Sequence, residues 1–178
     1  MKMIDPTYLR YIYNGLESGK INKDNVSALP TGLAGVYEEA LPPSTTINER
    51  EKFLEFFGTW ALLKKEVSAA FVTELLINWT ESEVLDYINL FSKWFNSPFL
   101  GKYILYHERL RVFILSWMPS SAIKRTIIRL SEIFELASKR KDSSEINEYA
   151  FQNQSYLNGC LDIIEGKRSE EHTSELQS

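Results

Sequence analysis

Between Trp94 and Tyr106 the spacing of apolar residues changes, and that change limits the fold more than any other feature of the chain. On either side apolar residues recur three and four apart, the period of a helix with one buried face. Within this window they come instead as aromatic and β-branched runs, Trp94-Phe95 and Tyr103-Ile104-Leu105-Tyr106, with Pro98 between them. Such runs predict two short strands joined as a hairpin, with Pro98 in the turn. The fold class that follows is mainly α with one short β-hairpin.

The helices can be placed from their start and stop signals. Asp5-Pro6 is a cap and first-turn pair, followed by Leu9, Ile12, Tyr13 and Leu16 and a stop at Gly19. A second helix follows Pro30-Thr31, carries Leu33, Val36, Tyr37 and Ala40, and ends at Pro42-Pro43. A third opens near Asn48; Phe53, Leu54, Phe57, Trp60 and Ala61 give it an apolar face wide enough for a central, largely buried helix. Ser68 caps a fourth, with Phe71, Val72, Leu75 and Leu76 on one side. Thr80 and Glu83 form a capping box for a fifth, carrying Val84, Leu85, Ile88 and Phe91. After the hairpin, helix resumes at His107 and runs through Leu110, Phe113 and Ile114 to Pro119. Two more follow, one with Ile123, Ile127, Leu130, Ile133, Phe134 and Ala137, the other with Ile146, Tyr149, Ala150, Leu157 and Leu161. Three helices and then a hairpin is the winged-helix order, built on the helix-turn-helix. The expected organisation is a helical subdomain over 1–43, a winged-helix domain over 47–117 and an antiparallel helical pair over 119–165, of the kind that begins an α-solenoid.

Residues 168–178, Arg168-Ser169-Glu170-Glu171-His172-Thr173-Ser174-Glu175-Leu176-Gln177-Ser178, have no hydrophobic period and no cap. They look like a common sequencing-adapter oligonucleotide translated in frame, an artefactual tail to be set aside before fold reasoning. Setting aside its one arginine and three glutamates moves the formal charge from −4 to −2. A negative balance gives no electrostatic reason to expect nucleic acid or an anionic membrane as partner. Cys160 is the single cysteine, which excludes an internal disulfide and fits a reducing, cytoplasmic setting. No apolar run approaches the 18 or so residues of a membrane span, and Met1-Lys2-Met3-Ile4-Asp5-Pro6 has no signal-like apolar region.

Side chains for catalysis are sparse. Outside the tail the chain has one histidine, His107, and one cysteine, so neither a nucleophile–base set nor a metal-ligand spacing can be drawn. The Gly-Lys pairs at 19–20, 101–102 and 166–167 lack the earlier glycine and the following Ser/Thr of a phosphate loop. A non-catalytic chain without a cofactor of its own is expected. The winged-helix order raises DNA binding as an alternative. The helix that would enter a groove, however, begins Glu81-Ser82-Glu83 and continues to Asp86, and carboxylates there repel the phosphate backbone. A third possibility is a helical adaptor using aromatics such as Tyr11, Tyr13 and Trp117, although aromatics at helical spacing more often form core.

Four segments together resemble the region just after the ATPase core of STAND NTPases, the NACHT and NB-ARC group. Asp5-Pro6-Thr7-Tyr8-Leu9 is similar to the Gly-x-Pro segment that opens the small helical subdomain, with Ile4-Asp5 in place of the glycine. Leu29-Pro30-Thr31-Gly32-Leu33, with Tyr37, resembles the linker before the winged helix. Lys102-Tyr103-Ile104-Leu105-Tyr106-His107-Glu108-Arg109-Leu110-Arg111 resembles the motif in which a strand ends in a histidine and a helix begins, with Glu108 in the acidic place. Asn147-Glu148-Tyr149-Ala150-Phe151, with Tyr156-Leu157, is similar to the helix that begins the sensor repeats, with asparagine or tyrosine at the usual histidine.

The resemblance implies that Pro6 packs near a bound nucleotide and that His107 contacts its β-phosphate. An imidazole at a helix start suits that contact, because backbone N–H groups also point there. A plain cap is the alternative role for His107. The resemblance further implies that the chain is the regulatory arm of a larger signalling ATPase. In that parent, ADP or ATP with Mg²⁺ would bind an upstream core in cis, and nucleotide exchange would swing the arm and free the protein to oligomerise. No Walker motif occurs in the chain; in such a parent these motifs would lie upstream of Met1.

Overall fold

The computed structural model describes residues 46–139 and 144–164, together with Tyr13, Glu17, Gly35 and Tyr37. Apart from those four residues, the two helices expected over 1–43, with Pro6, lie outside the described residues, as does the adapter-like tail over 168–178. The described residues from Thr46 onward belong to one compact unit, mainly helical with a small antiparallel sheet.

Helix α1 (Ile47–Leu62) organises that unit. Thr46 caps it: its hydroxyl accepts from the Glu49 N–H at 3.1 Å, and the Glu49 carboxylate accepts from the Thr46 N–H at 3.0 Å. This is a reciprocal box that starts the helix just before the expected Asn48. From Phe53 to Leu62 every residue except Glu55 is buried, so α1 is surrounded on all sides, as its apolar width predicts. Much of its wall is aromatic. Phe57 meets Phe91 and Trp94 edge-on at 5.0 Å each, Phe56 stacks on Trp79 at 5.5 Å, and Phe53 meets Trp117 at 5.6 Å. Trp117 is thereby a core contact.

A two-residue strand β1 (Val67–Ser68) leads into α2 (Ala69–Leu75), and α3 (Glu81–Leu90) packs beside α2. Both caps match expectation: the Ser68 hydroxyl accepts from the Phe71 N–H at 3.0 Å, and Thr80 and Glu83 form their box. A single 3-10 turn (Ser92–Trp94) then feeds the hairpin of β2 (Phe95–Phe99) and β3 (Lys102–Leu105). The sheet runs β1-β3-β2, all antiparallel, with Val67 opposite Tyr103 and Phe95 opposite Leu105. Strand β1 is too short for any alternating pattern, so sequence periodicity could not show it.

Pro98 departs from expectation. It lies inside β2, where the register slips between Asn96 and Phe99, and the turn is instead Leu100-Gly101 with Gly101 at φ +74°. Strand β2 is an edge, where a residue without an N–H costs no ladder bond, and glycine takes the left-handed position without strain.

Helices α4 (Glu108–Trp117) and α5 (Ser120–Ser138) both pack on α1, and α6 (Glu145–Ile164) packs along α5. Polar contacts join these layers. The Glu55 carboxylate accepts from Arg129 of α5 at 2.6 Å, from the Ile77 N–H at 2.8 Å and from the Trp79 indole at 3.1 Å, while Arg129 also donates to Thr59 at 2.8 Å. Glu145 of α6 accepts from the Ser68 hydroxyl at 2.7 Å and pairs with Lys102 at 3.2 Å, which ties the sheet to the last helix. Among the described residues no helix is long and apolar enough to cross a membrane.

Two outcomes follow. Glu55→Ala removes the acceptor for three donors and leaves the mostly buried Arg129 unpaired, so urea unfolding should show a loss of about 3 kcal/mol; Glu55→Gln should lose less. Separately, the Thr80 backbone N–H, then the Lys52 ammonium and the Thr80 hydroxyl, hold the Glu83 carboxyl at about 2 rather than 4.5. A depressed carboxyl stabilises the fold fully above its unfolded value and loses that contribution as pH falls through its folded value. Thermal midpoints should therefore fall between about pH 4.5 and about pH 2, and Glu83→Gln should flatten part of that slope.

Candidate functional site

The end of β3 and the start of α4 bring the sequence-selected histidine to a defined position. Strand β3 is the central strand, and its last extension is held where the Tyr106 N–H donates to the Trp94 carbonyl at 2.8 Å. His107 follows in extended conformation, φ −149° and ψ 144°, as the N-cap of α4. Its carbonyl accepts from the Leu110 N–H at 3.0 Å and the Arg111 N–H at 3.3 Å. Its ring nitrogen Nδ1 accepts from the Arg109 N–H at 3.1 Å. An Nδ1 that accepts carries no proton, so a neutral ring bears its proton on Nε2, a donor. His107 is half-buried, with the exposed ring of Tyr106 centred 6.5 Å away.

The first turn of α4 is charged. Glu108 is exposed, where a carboxylate suits the positive end of the helix. One turn on, Arg111 is buried, its side chain 7% exposed. Its Nε is 3.5 Å from Glu108, close enough for an ion pair but not aligned for a hydrogen bond, so that N–H has no acceptor among the described residues.

Two phenols of α6 lie within electrostatic reach of Arg111. The Tyr149 hydroxyl accepts from the Lys64 N–H at 2.7 Å, and its ring lies 5.1 Å from Phe71 and 5.5 Å from Phe134. Burial raises its pKa, with the Lys64 and Lys65 backbone donors and the Arg111 charge opposing. Tyr156 is pushed up to about 12, by burial first and by Cys160 second, and the Lys64 ammonium sits 4.4 Å over its ring. Both phenols therefore stay protonated at neutral pH and can donate, but neither is an activated nucleophile.

A second polar place lies between α1 and α5. A cavity of about 250 Å³ is lined by Glu51, Glu55, Arg125 and Arg129 with Leu54, Ile77, Ala122 and Thr126. Its two carboxylates balance its two guanidiniums, so it favours neither sign of ligand. Among the described residues no group of three or more His, Cys, Asp and Glu side chains could hold a metal ion.

Of the two residues singled out for nucleotide contact, His107 stands at the helix start and Pro6 lies outside the described residues. Sequence reading did not single out Arg111 or the two tyrosines as neighbours of this helix start. Arg111 sits at helical spacing among Leu110, Phe113 and Ile114, and its burial beside a histidine cap was the only available signal. Comparison with protein-family models, with curated proteins and with solved structures finds no match for the chain.

The cap can be separated from any ligand role by substitution. His107→Ala removes the acceptor for the Arg109 N–H and should cost about 1 kcal/mol in chemical denaturation. His107→Asp restores a side-chain acceptor at the cap and should match or exceed the parent midpoint.

Proposed function

We propose that this chain is the non-catalytic regulatory arm of a STAND-type signalling ATPase, with a winged-helix fold over 47–117 and the beginning of a helical repeat array over 119–165. The observation that carries the reading is His107. It stands where the central strand ends and a helix begins, with Nδ1 engaged by the cap and Nε2 as donor. That arrangement suits an imidazole that reports on a phosphate, since cap and donor roles use different nitrogens and the helix N-terminus adds N–H groups.

Support for the fold comes from the element order α1-β1-α2-α3-β2-β3 and the sheet order β1-β3-β2, which agree with a helix-turn-helix bearing a β-hairpin wing. In this reading ADP, held by an upstream core in cis, keeps the arm closed, and exchange for ATP frees it for oligomerisation. A ligand shifts such an equilibrium only through contacts that differ between the two states, and the His107 contact is the one we assign. DNA binding by the same fold is disfavoured, because Glu81 and Asp86 stand exposed on α3, the helix that would enter a groove.

Sequencing across both ends of the reading frame should reach a Gly-x-x-x-x-Gly-Lys-Ser/Thr loop upstream. In the protein so recovered, His107→Asp should keep its thermal midpoint yet release ADP at least tenfold faster, about 1.4 kcal/mol of lost contact. Unchanged ADP release, or a frame with no such loop, would overturn the reading.

A further inference from the structure

One side-chain bond closes the joint between β3 and α4. The Arg109 N–H, one of the four at a helix start that have no partner within the helix, donates to His107 Nδ1 at 3.1 Å. The common N-caps accept through a hydroxyl, amide or carboxylate oxygen, which remains an acceptor through mild acid. An imidazole nitrogen does not. With Nδ1 accepting, the neutral ring holds its proton on Nε2, so a second proton must go to Nδ1, and both nitrogens are then donors. The Arg109 N–H would then face another N–H, and the bond is lost. The added charge also falls at the positive end of the α4 dipole, where cations are disfavoured. Both effects act in the same direction.

The described groups about this joint do not favour a charged ring. On α4, Glu108 is exposed and lies 3.5 Å from the Arg111 Nε, while Arg109 and Arg111 add positive charge to the same turn. From β3 comes the Tyr106 ring, centred 6.5 Å from the imidazole. From α6, Tyr149 and Tyr156 lie within electrostatic reach of Arg111, and burial keeps both phenols protonated and uncharged. Lys64, just after α1, sits over the Tyr156 ring. One carboxylate thus stands against two guanidiniums and an ammonium. Histidine is the side chain whose ordinary change of charge falls between about pH 5 and about pH 8.

We propose that the His107 cap is an acid-labile latch, which holds the β3–α4 joint while the imidazole is neutral and releases the first turn of α4 when the ring is protonated. Acid frees the Arg109 N–H but leaves the His107 carbonyl accepting from the Leu110 and Arg111 N–H groups, so the helix start loosens without unfolding. The stability from this bond is complete while the ring is neutral and is lost as pH falls through the ring's own titration. A side-chain cap is worth about fivefold in such an opening equilibrium. The Nδ1 chemistry is the same with or without a nucleotide beside Nε2, so the latch goes beyond the signalling-ATPase reading and stands apart from it.

The test is NMR spectroscopy of the full 178-residue chain, isotope-labelled, between about pH 8 and about pH 5. His107→Asn is the comparison, because an asparagine oxygen caps a helix and does not titrate. The chain has two histidines, His107 and His172, and the ring signal that disappears in His107→Asn identifies His107. At the upper pH the His107 ring should carry its proton on Nε2. As the ring titrates, the Arg109 amide should shift with the same midpoint. Its protection from hydrogen exchange, corrected for the intrinsic effect of pH, should fall about fivefold. Neither change should occur in His107→Asn, and both should persist in Glu108→Gln, which separates the cap from the neighbouring carboxylate. A proton on Nδ1 at the upper pH, or an Arg109 amide indifferent to the ring, would overturn the proposal. So would a response that survives in His107→Asn or vanishes in Glu108→Gln.

Discussion

The Glu55 carboxylate is the one ionisable group on the otherwise buried stretch of α1, and three parts of the fold converge on it. Arg129 brings α5, the Ile77 N–H brings the segment after α2, and the Trp79 indole brings the residues that precede the Thr80 cap. Each donor is worth more here than in water, because the surrounding wall is aromatic and of low polarity. The same environment makes the arrangement all-or-none, since burial alone lowers the Arg129 pKa and only the adjacent carboxylate opposes it. The aromatic core around Phe56 and Phe57 gives α1 its bulk burial, and Glu55 selects which neighbours may provide it.

A second consequence of this plan is that the helix start at His107 is rigidly connected. The strand that delivers it is paired on both sides, and the helix that leaves it packs on α1. The Tyr106 N–H is bonded to Trp94, whose ring in turn contacts Phe57. His107 is thus joined through hydrogen bonds and ring contacts to the central strand and the α1 core, a connection that the proposed lever reading calls for.

Local signals carried much of the fold. Ser68 and Thr80 announce their helices through hydroxyls three residues before the N–H groups they bind, and the hairpin announces itself through aromatic and β-branched runs. Thr46 with Glu49 carries the same box signature as Thr80 with Glu83 and opens the helix expected near Asn48. Pro98 misled because proline is common in turns; an edge strand with an irregular register accommodates it equally well, and whether a strand is at the edge is decided by its partners. The two-residue strand β1 has no sequence pattern of its own and exists because β3 has a free edge beside it.

What the sequence by itself determined is the helical class, the hairpin, the caps and the histidine that opens α4, because these depend on side chains within a few positions of one another. What only the tertiary structure decided is which distant groups meet. Arg129 and Glu55 are 74 positions apart, Glu145 and Ser68 are 77 apart, and Tyr149 and the Lys64 N–H are 85 apart. Each side chain looks like an ordinary polar residue on a helix or in a loop when read alone. They become partners because burial removes water as the alternative, and the packing of α5 on α1 and of α6 along α5 brings each polar group the neighbours that replace it.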